Sequence, residues 1–263
     1  MALIVTTGGR PTPALTERGQ HVAAACQVPF VPRRGRSMVR LKADHEAELV
    51  YIIGHDKERL DDGRRSLFVH EGLLKARLAG GMGQPLIRAV TGGHTAERVV
   101  DGTLGLAIDA LHLAAATGAQ VLGIEAVPAI HALCVSGLPR LAAEGLQAAG
   151  RVTPVLGLNH ERLAALPDDH ADAVFLAPMF DAPAAAAPGW DLLRPLACYE
   201  PVGERVVSEA LRVAPRLAVK LAPSDRVPDA IAARDPEWIH GRSVRYAVVL
   251  RDRQRHAEAA PVA

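Results

Sequence analysis

Aromatic residues make up only 3% of the chain, against 49% hydrophobic residues in all. The core must therefore be built from Leu, Val and Ala rather than from large rings. Cysteine is scarcer still. Cys26, Cys134 and Cys198 are scattered and odd in number, with no CxxC and no Cys/His cluster. That leaves a zinc site and a disulfide framework without support and fits a reducing cytoplasm. His55, His70, His131 and His240 lack metal-ligand spacing, so no metal is expected. No apolar run reaches the roughly 18 residues that span a bilayer. The opening "MALIVTTGGRPTP" has neither the basic lead nor the apolar stretch of a signal peptide. Ser136 and Ser208 have no nucleophile-elbow context, so hydrolase chemistry is unsupported.

Net charge is also small, at +1 for 263 residues, which argues against a general polyanion binder. Its distribution is uneven. "VPRRGRSMVRLK" holds Arg33, Arg34, Arg36, Arg40 and Lys42 with no acid among them. Such a block is either a solvated loop or a surface that meets phosphate. Arg33, Arg34 and Arg36 are accordingly the candidate substrate contacts.

Strand and helix patterns alternate along the chain. "ALIVTT", the helical "PALTERGQHVAAACQV", "AELVYIIGHD" and "SLFVHEGL" suggest a small N-terminal α/β subdomain over residues 1–75. From 76 to 252 the alternation predicts a doubly wound, mostly parallel sheet, closed by "SVRYAVVLRD". "DAPAAAAPG" (181–189) reads as a low-complexity loop, and residues 253–263 as a flexible tail.

The stretch from 98 to 126 carries the strongest signal. A strand ends near Val100, and Asp101, Gly102, Thr103, Leu104 and Gly105 make a turn into a helix. Glycines permit a sharp turn and the close approach of a ligand. The next strand ends in Glu125, followed by Ala126, where a carboxylate accepts hydrogen bonds from ribose hydroxyls. A nucleoside is the expected ligand. The turn reads G-T-L-G-L-A and lacks the third glycine of a dinucleotide fingerprint. Asp101 and Asp109 would repel a pyrophosphate and suit the cationic end of S-adenosylmethionine. A glycine-containing βα turn with no ligand is the alternative. Further on, Ala177-Pro178-Met179-Phe180 follows a buried strand, at the sheet edge where ligands bind.

These motifs together resemble the class I S-adenosylmethionine-dependent methyltransferases. The chain is most similar to the RsmJ-like group, the ribosomal RNA small subunit methyltransferase J enzymes and their Gram-positive relatives. "LAGGMGQPLIRAV" is similar to the glycine-rich segment before the first core strand. "VVDGTLGLAIDAL" is similar to D-A-T-x-G-L-G-x-D-A, and "FLAPMF" to L-D-P-M-F. The opening "LIVTTGGRPTPALTERGQHVA" resembles the Gram-positive members. The resemblance implies a Rossmann-like methyltransferase sheet, S-adenosylmethionine as cofactor, and a ribosomal RNA guanine N2 as acceptor. It implies cofactor roles for Asp109 and Glu125, adenine contact near Asn159 and His160, and catalysis around Ala177, Pro178, Met179 and Phe180.

Two departures stand out. Ala177 replaces the aspartate that accepts a hydrogen bond from the target amine. Ala107 replaces a glycine, and alanine keeps the turn only if its φ is negative. Lys220, at a strand end on the same edge, would meet a substrate anion or simply snorkel. Phe180 could stack on a flat base or fill the core, and Trp190 and Tyr199 could form a lid beyond the Ala/Pro loop or simply anchor it. Three functions stay open. One is a methyltransferase acting on an RNA base or a small molecule. The second is a cofactor-binding protein with lost or altered catalysis. The third, disfavoured by the missing glycine, is a nicotinamide-dependent oxidoreductase.

Overall fold

The computed structural model describes residues 2–72, 74–79, 81–178, 192, 196 and 198–251. Met179, Phe180, Trp190, the 181–189 loop and the 253–263 tail lie outside the described residues.

The N-terminal part comprises β1 (Leu3–Thr7), α1 (Pro13–Cys26), α2 (Met38–Asp44), β2 (Leu49–Ile53), β3 (Glu58–Asp61) and β4 (Ser66–Leu67). They form a sheet of order β1-β2-β3-β4, with β1 parallel to β2 and the other pairs antiparallel. α1 starts as its sequence directs. Thr12 caps it by accepting from the Leu15 N–H at 3.3 Å, and Pro13 occupies the first turn. "SLFVHEGL" yields only the two residues of β4, and β3 forms from the charged "ERLD". Alternate burial of Glu58 and Leu60 fixes β3, and tertiary pairing overrides its composition.

The rest comprises α3 (Leu74–Leu78), α4 (Pro85–Thr91), β5 (Arg98–Asp101), α5 (Ile108–Thr117), β6 (Gln120–Glu125), α6 (Pro128–Ala143), β7 (Val152–Leu156), α7 (Asn159–Ala164), β8 (Ala173–Leu176), α8 (Glu204–Val213), β9 (Arg216–Leu221), α9 (Asp229–Ala232), β10 (Glu237–His240) and β11 (Arg245–Leu250). β5, β8 and β9 read as apolar runs because helices cover both faces of their sheet. The order is β10-β11-β9-β8-β5-β6-β7, parallel from β7 to β9. The chain winds outward from β5 to β7, then returns to β8 and winds the other way. The strand order reverses between β5 and β8, and in such sheets ligands bind beyond the carboxyl ends at that switch point. β11 does not close the sheet as expected. It runs antiparallel between β9 and β10, and the short, half-exposed β10 forms the edge.

One apolar core runs through both sheets, joining Val5, Tyr51 and Leu60 to Leu104, Leu111 and Leu133. α6 lies close to the N-terminal part, where a Cβ on Gly137 would collide with Val69. Arg140 donates to the Val69 carbonyl at 2.5 Å. Among the described residues, no helix is long and apolar enough to cross a membrane.

Candidate active site

The turn after β5 is braced on three sides. Gly102 N–H donates to the Phe175 carbonyl of β8 at 2.9 Å, and Leu104 N–H to the Ile124 carbonyl of β6 at 3.0 Å. The Cys134 thiol of α6 donates to the Gly105 carbonyl at 3.1 Å. The turn is therefore a fixed surface, although nothing in the spacing of Cys134 announced its part. A Cβ at Gly102 would strike Asn159 Oδ1 and Leu176, so only glycine fits there. Gly105 sits at φ 52° and Ala107 at φ 61°, both left-handed. Ala107 thus departs from the negative φ that its side chain requires. The turn into α5 is the one glycine would serve, and alanine holds it under strain.

The acids behave differently from the expectation that they ring the turn with open negative charge. Asp101 is 1% exposed, and its Oδ1 accepts from Thr103 N–H at 2.9 Å. Burial pushes its carboxyl up to about 7, against the pull of the Thr103 N–H. Asp109, on the first turn of α5, accepts from Arg77 Nη1 and Lys220 Nζ, each at 2.7 Å. Burial raises its carboxyl, but Lys220 and Arg77 outweigh burial and hold it near 2. Its charge is spent inside the protein, and so is that of Lys220. What Lys220 meets is a carboxylate of its own chain.

Glu125 ends β6 and is 8% exposed. Its Oε2 accepts from Gly105 N–H at 2.9 Å and its Oε1 from Val127 N–H at 2.8 Å. Burial pushes it up to about 7, against the N–H groups of Val127, Gly105 and Ala126. A carboxylate has about four acceptor positions, so two bonds still leave room for a ligand's hydroxyls. Asn159 and His160 open α7, where Glu200 accepts from both backbone N–H groups, at 2.7 and 3.2 Å. Glu200 also binds His160 Nδ1 at 2.5 Å. No local signal pointed to Glu200, which lies about 40 residues further along the chain. Asn159 Oδ1, beside Gly102, is buried without a hydrogen-bond partner. A free amide oxygen and a half-used carboxylate flank one glycine turn, which fits an adenosine bound there.

Ala177 follows β8 and donates its N–H to Thr103 Oγ1 at 2.6 Å. The first two residues of the Ala-Pro-Met-Phe segment therefore sit at the switch point, against the turn. The basic block is divided. Arg36 is drawn to Asp44 and to the Pro32 carbonyl, and Lys42 to the Asp62 carbonyl. Arg33 and Arg34 instead line a cleft near β1. Among the described residues, no group of three His, Cys, Asp or Glu could hold a metal.

A parallel switch-point sheet with an antiparallel β11 inserted, a glycine turn after β5 and an acid ending β6 define an S-adenosylmethionine-dependent methyltransferase. The chain belongs to the family described as putative SAM-dependent methyltransferase, whose model matches residues 39–248. It is 29% identical over 225 residues to the uncharacterized protein YpiP of Bacillus subtilis, covering 82% of this chain and 87% of that one. It is 35% identical over 182 residues to the ribosomal RNA small subunit methyltransferase J of Chromohalobacter salexigens, covering 65% and 70%. The fold matches the crystal structure of the SAM-dependent methyltransferase NGO1261 from Neisseria gonorrhoeae. There the TM-score is 0.62 at 22% identity, over 94% of this chain and 95% of that one.

Proposed function

We propose that this methyltransferase acts on an RNA base, of the ribosomal RNA guanine N2 type. The support is the series of relatives bearing the ribosomal RNA small subunit methyltransferase J name, at 27–35% identity. A ribosomal substrate would place the protein in the cytoplasm. In this reading residues 1–75 form an RNA-contacting subdomain and 76–252 the catalytic one.

When bound, S-adenosylmethionine supplies a methyl group on a cationic sulfur. Glu125 would hold the ribose hydroxyls, and Asn159, at the head of the helix that His160 and Glu200 steady, would lie on the adenine side of the turn. The backbone of Gly102, Thr103 and Gly105 would support the cofactor, with Asp101 fixing the turn from within. Asp109 acts indirectly, by tying α5 to Arg77 and Lys220. Ala177 and Pro178 offer backbone carbonyls to the acceptor's N–H, and Met179 and Phe180 would complete the wall over its ring. Catalysis of this kind is mainly positioning and exclusion of water.

The test is methyl transfer from tritiated S-adenosylmethionine to small ribosomal subunits lacking the modification, with the product nucleoside identified by mass spectrometry. Labelled N2-methylguanosine supports the proposal, and label confined to protein or small molecules overturns it. A second reading rests on Ala177, which removes the side-chain acceptor implied by the family motif. A cofactor-binding protein without turnover would bind S-adenosylmethionine calorimetrically yet label nothing. In that case Ala177→Asp would restore transfer to RNA.

A further inference from the structure

The chain carries a concave site remote in sequence from the glycine turn. At the carboxyl end of β1, Thr7, Gly8, Gly9 and Arg10 lead into α1, and the segment from Phe30 to Gly35 folds over the same end. Between them lies a cleft of about 440 Å³, within the usual range of ligand pockets, about 300–1,000 Å³. Its position repeats the logic of the main site, at the carboxyl end of the parallel pair β1 and β2 and at the N-terminus of the 14-residue α1. That location favours an anion.

The lining chemistry points the same way. Arg10, Arg33 and Arg34 line the cleft, and no acid does. Arg33 Nε is steadied by the Arg36 carbonyl at 3.0 Å. Arg10 and Arg34 both adopt left-handed backbone, φ 57° and 46°, a conformation that non-glycine residues keep only where surrounding structure enforces it. Phe30 is the one aromatic of the lining. It is held by a parallel bridge to Val5 and by its ring lying over Gly19, where a Cβ would clash. All of these residues precede the 39–248 segment that the family model matches.

We propose that this cleft binds a nucleotide phosphate, the three arginines taking the phosphate oxygens and Phe30 facing the base or sugar. The inference rests on the proposed function only in taking an RNA strand as the source. A free mononucleotide would present the same chemistry.

The test uses the full chain without S-adenosylmethionine. The probes are a labelled short single-stranded RNA, followed by fluorescence anisotropy across a salt series, and GMP and inorganic phosphate, followed by calorimetry. The variant is Arg10→Gln with Arg34→Gln. Both side chains are exposed, and a thermal melt checks that the fold is kept. The expected result is RNA or GMP binding that falls tenfold or more in the variant, with the RNA salt slope reduced by about two. Binding of RNA alone assigns the source to a strand, and binding of GMP as well assigns it to a free nucleotide. Equal binding by variant and parent overturns the proposal. So does binding of inorganic phosphate alone, or of no probe at low salt. A parallel titration with S-adenosylmethionine keeps the two claims apart, because loss of cofactor binding would leave the cleft result standing.

Discussion

Thr103 Oγ1 accepts the Ala177 N–H at 2.6 Å, across 74 residues of sequence. One hydroxyl thus joins the glycine turn to the segment expected to hold the methyl acceptor. The same hydroxyl lies 3.4 Å from Asp101 Oδ1, so its proton points back into the turn. This side-chain link adds to the main-chain bond from Gly102 N–H to the Phe175 carbonyl in setting the turn against the segment after β8.

Thr103→Val keeps the shape and removes the acceptor. It is expected to lower stability by about 1–2 kcal/mol, as for other lost internal hydrogen bonds. It should also lower kcat more than it weakens S-adenosylmethionine binding, because the turn and the segment after β8 lose their register. Thr103→Ser should recover both. Urea denaturation and single-turnover kinetics check this. A Thr103→Val enzyme with unchanged kcat would mean the link is only structural.

Ala107→Gly removes the strain of a left-handed alanine with φ 61°. Relief of that strain, partly offset by the extra backbone entropy of glycine, is expected to stabilise the fold by roughly 0.5–1 kcal/mol. For a chain of this size that is a rise of about 1–4 °C in Tm. Ala107→Val should do the opposite and strongly, since the position is fully buried and a β-branched residue tolerates this backbone poorly. A lower Tm for the glycine variant would show that the Ala107 methyl contributes more by packing than its backbone costs.

Asp109 ties α3, α5 and β9 together through Arg77 and Lys220. Asp109→Asn leaves two neighbouring cations without their counter-charge, one of them on a side chain only 15% exposed. A loss of about 3 kcal/mol is expected. Lys220→Met should cost less, because Asp109 then keeps Arg77. Chemical denaturation of both variants decides this. If Lys220→Met proved the more damaging, the lysine would have a further partner beyond Asp109.

Much of this arrangement was legible in the sequence, for identifiable reasons. The strands β5, β6, β8 and β9 are buried apolar runs bounded by Gly, Asp or Pro, and such runs announce themselves. Pro13 and Gly118 mark helix ends in the sequence because such signals are local chemistry, and the structure adds Thr12 as the cap before Pro13. β3 and β10 were not legible, since charged or half-exposed segments become strands only through their partners. Nor could the state of Asp101 and Asp109 be read. Whether a carboxylate faces a ligand or a lysine depends on β9, more than 100 residues away. Glu200 and Cys134 escaped notice for the same reason.

Glu125 makes the site sensitive to pH near neutrality. Its carboxyl is raised by burial to about 7 from an ordinary value of 4.5. The folded chain therefore keeps a proton that the unfolded chain releases, so Glu125 favours folding below about pH 4.5 and loses that contribution as pH rises through 7. Asp101, also raised to about 7, acts in the same window. The ligand-free protein is thus expected to lose stability between pH 5 and 7, read as a falling urea midpoint. Cofactor binding should run the other way. If Glu125 holds the ribose as proposed, the hydroxyls would donate to its ionised carboxylate, whose fraction rises from about a tenth at pH 6 to about nine-tenths at pH 8. Affinity for S-adenosylmethionine should therefore tighten by about an order of magnitude over that range. Glu125→Gln, which carries no ionisable group, should bind weakly and give a flat profile. A parent affinity that does not change between pH 6 and 8, alongside a Gln variant of equal strength, would place the ribose elsewhere and remove Glu125 from the cofactor site.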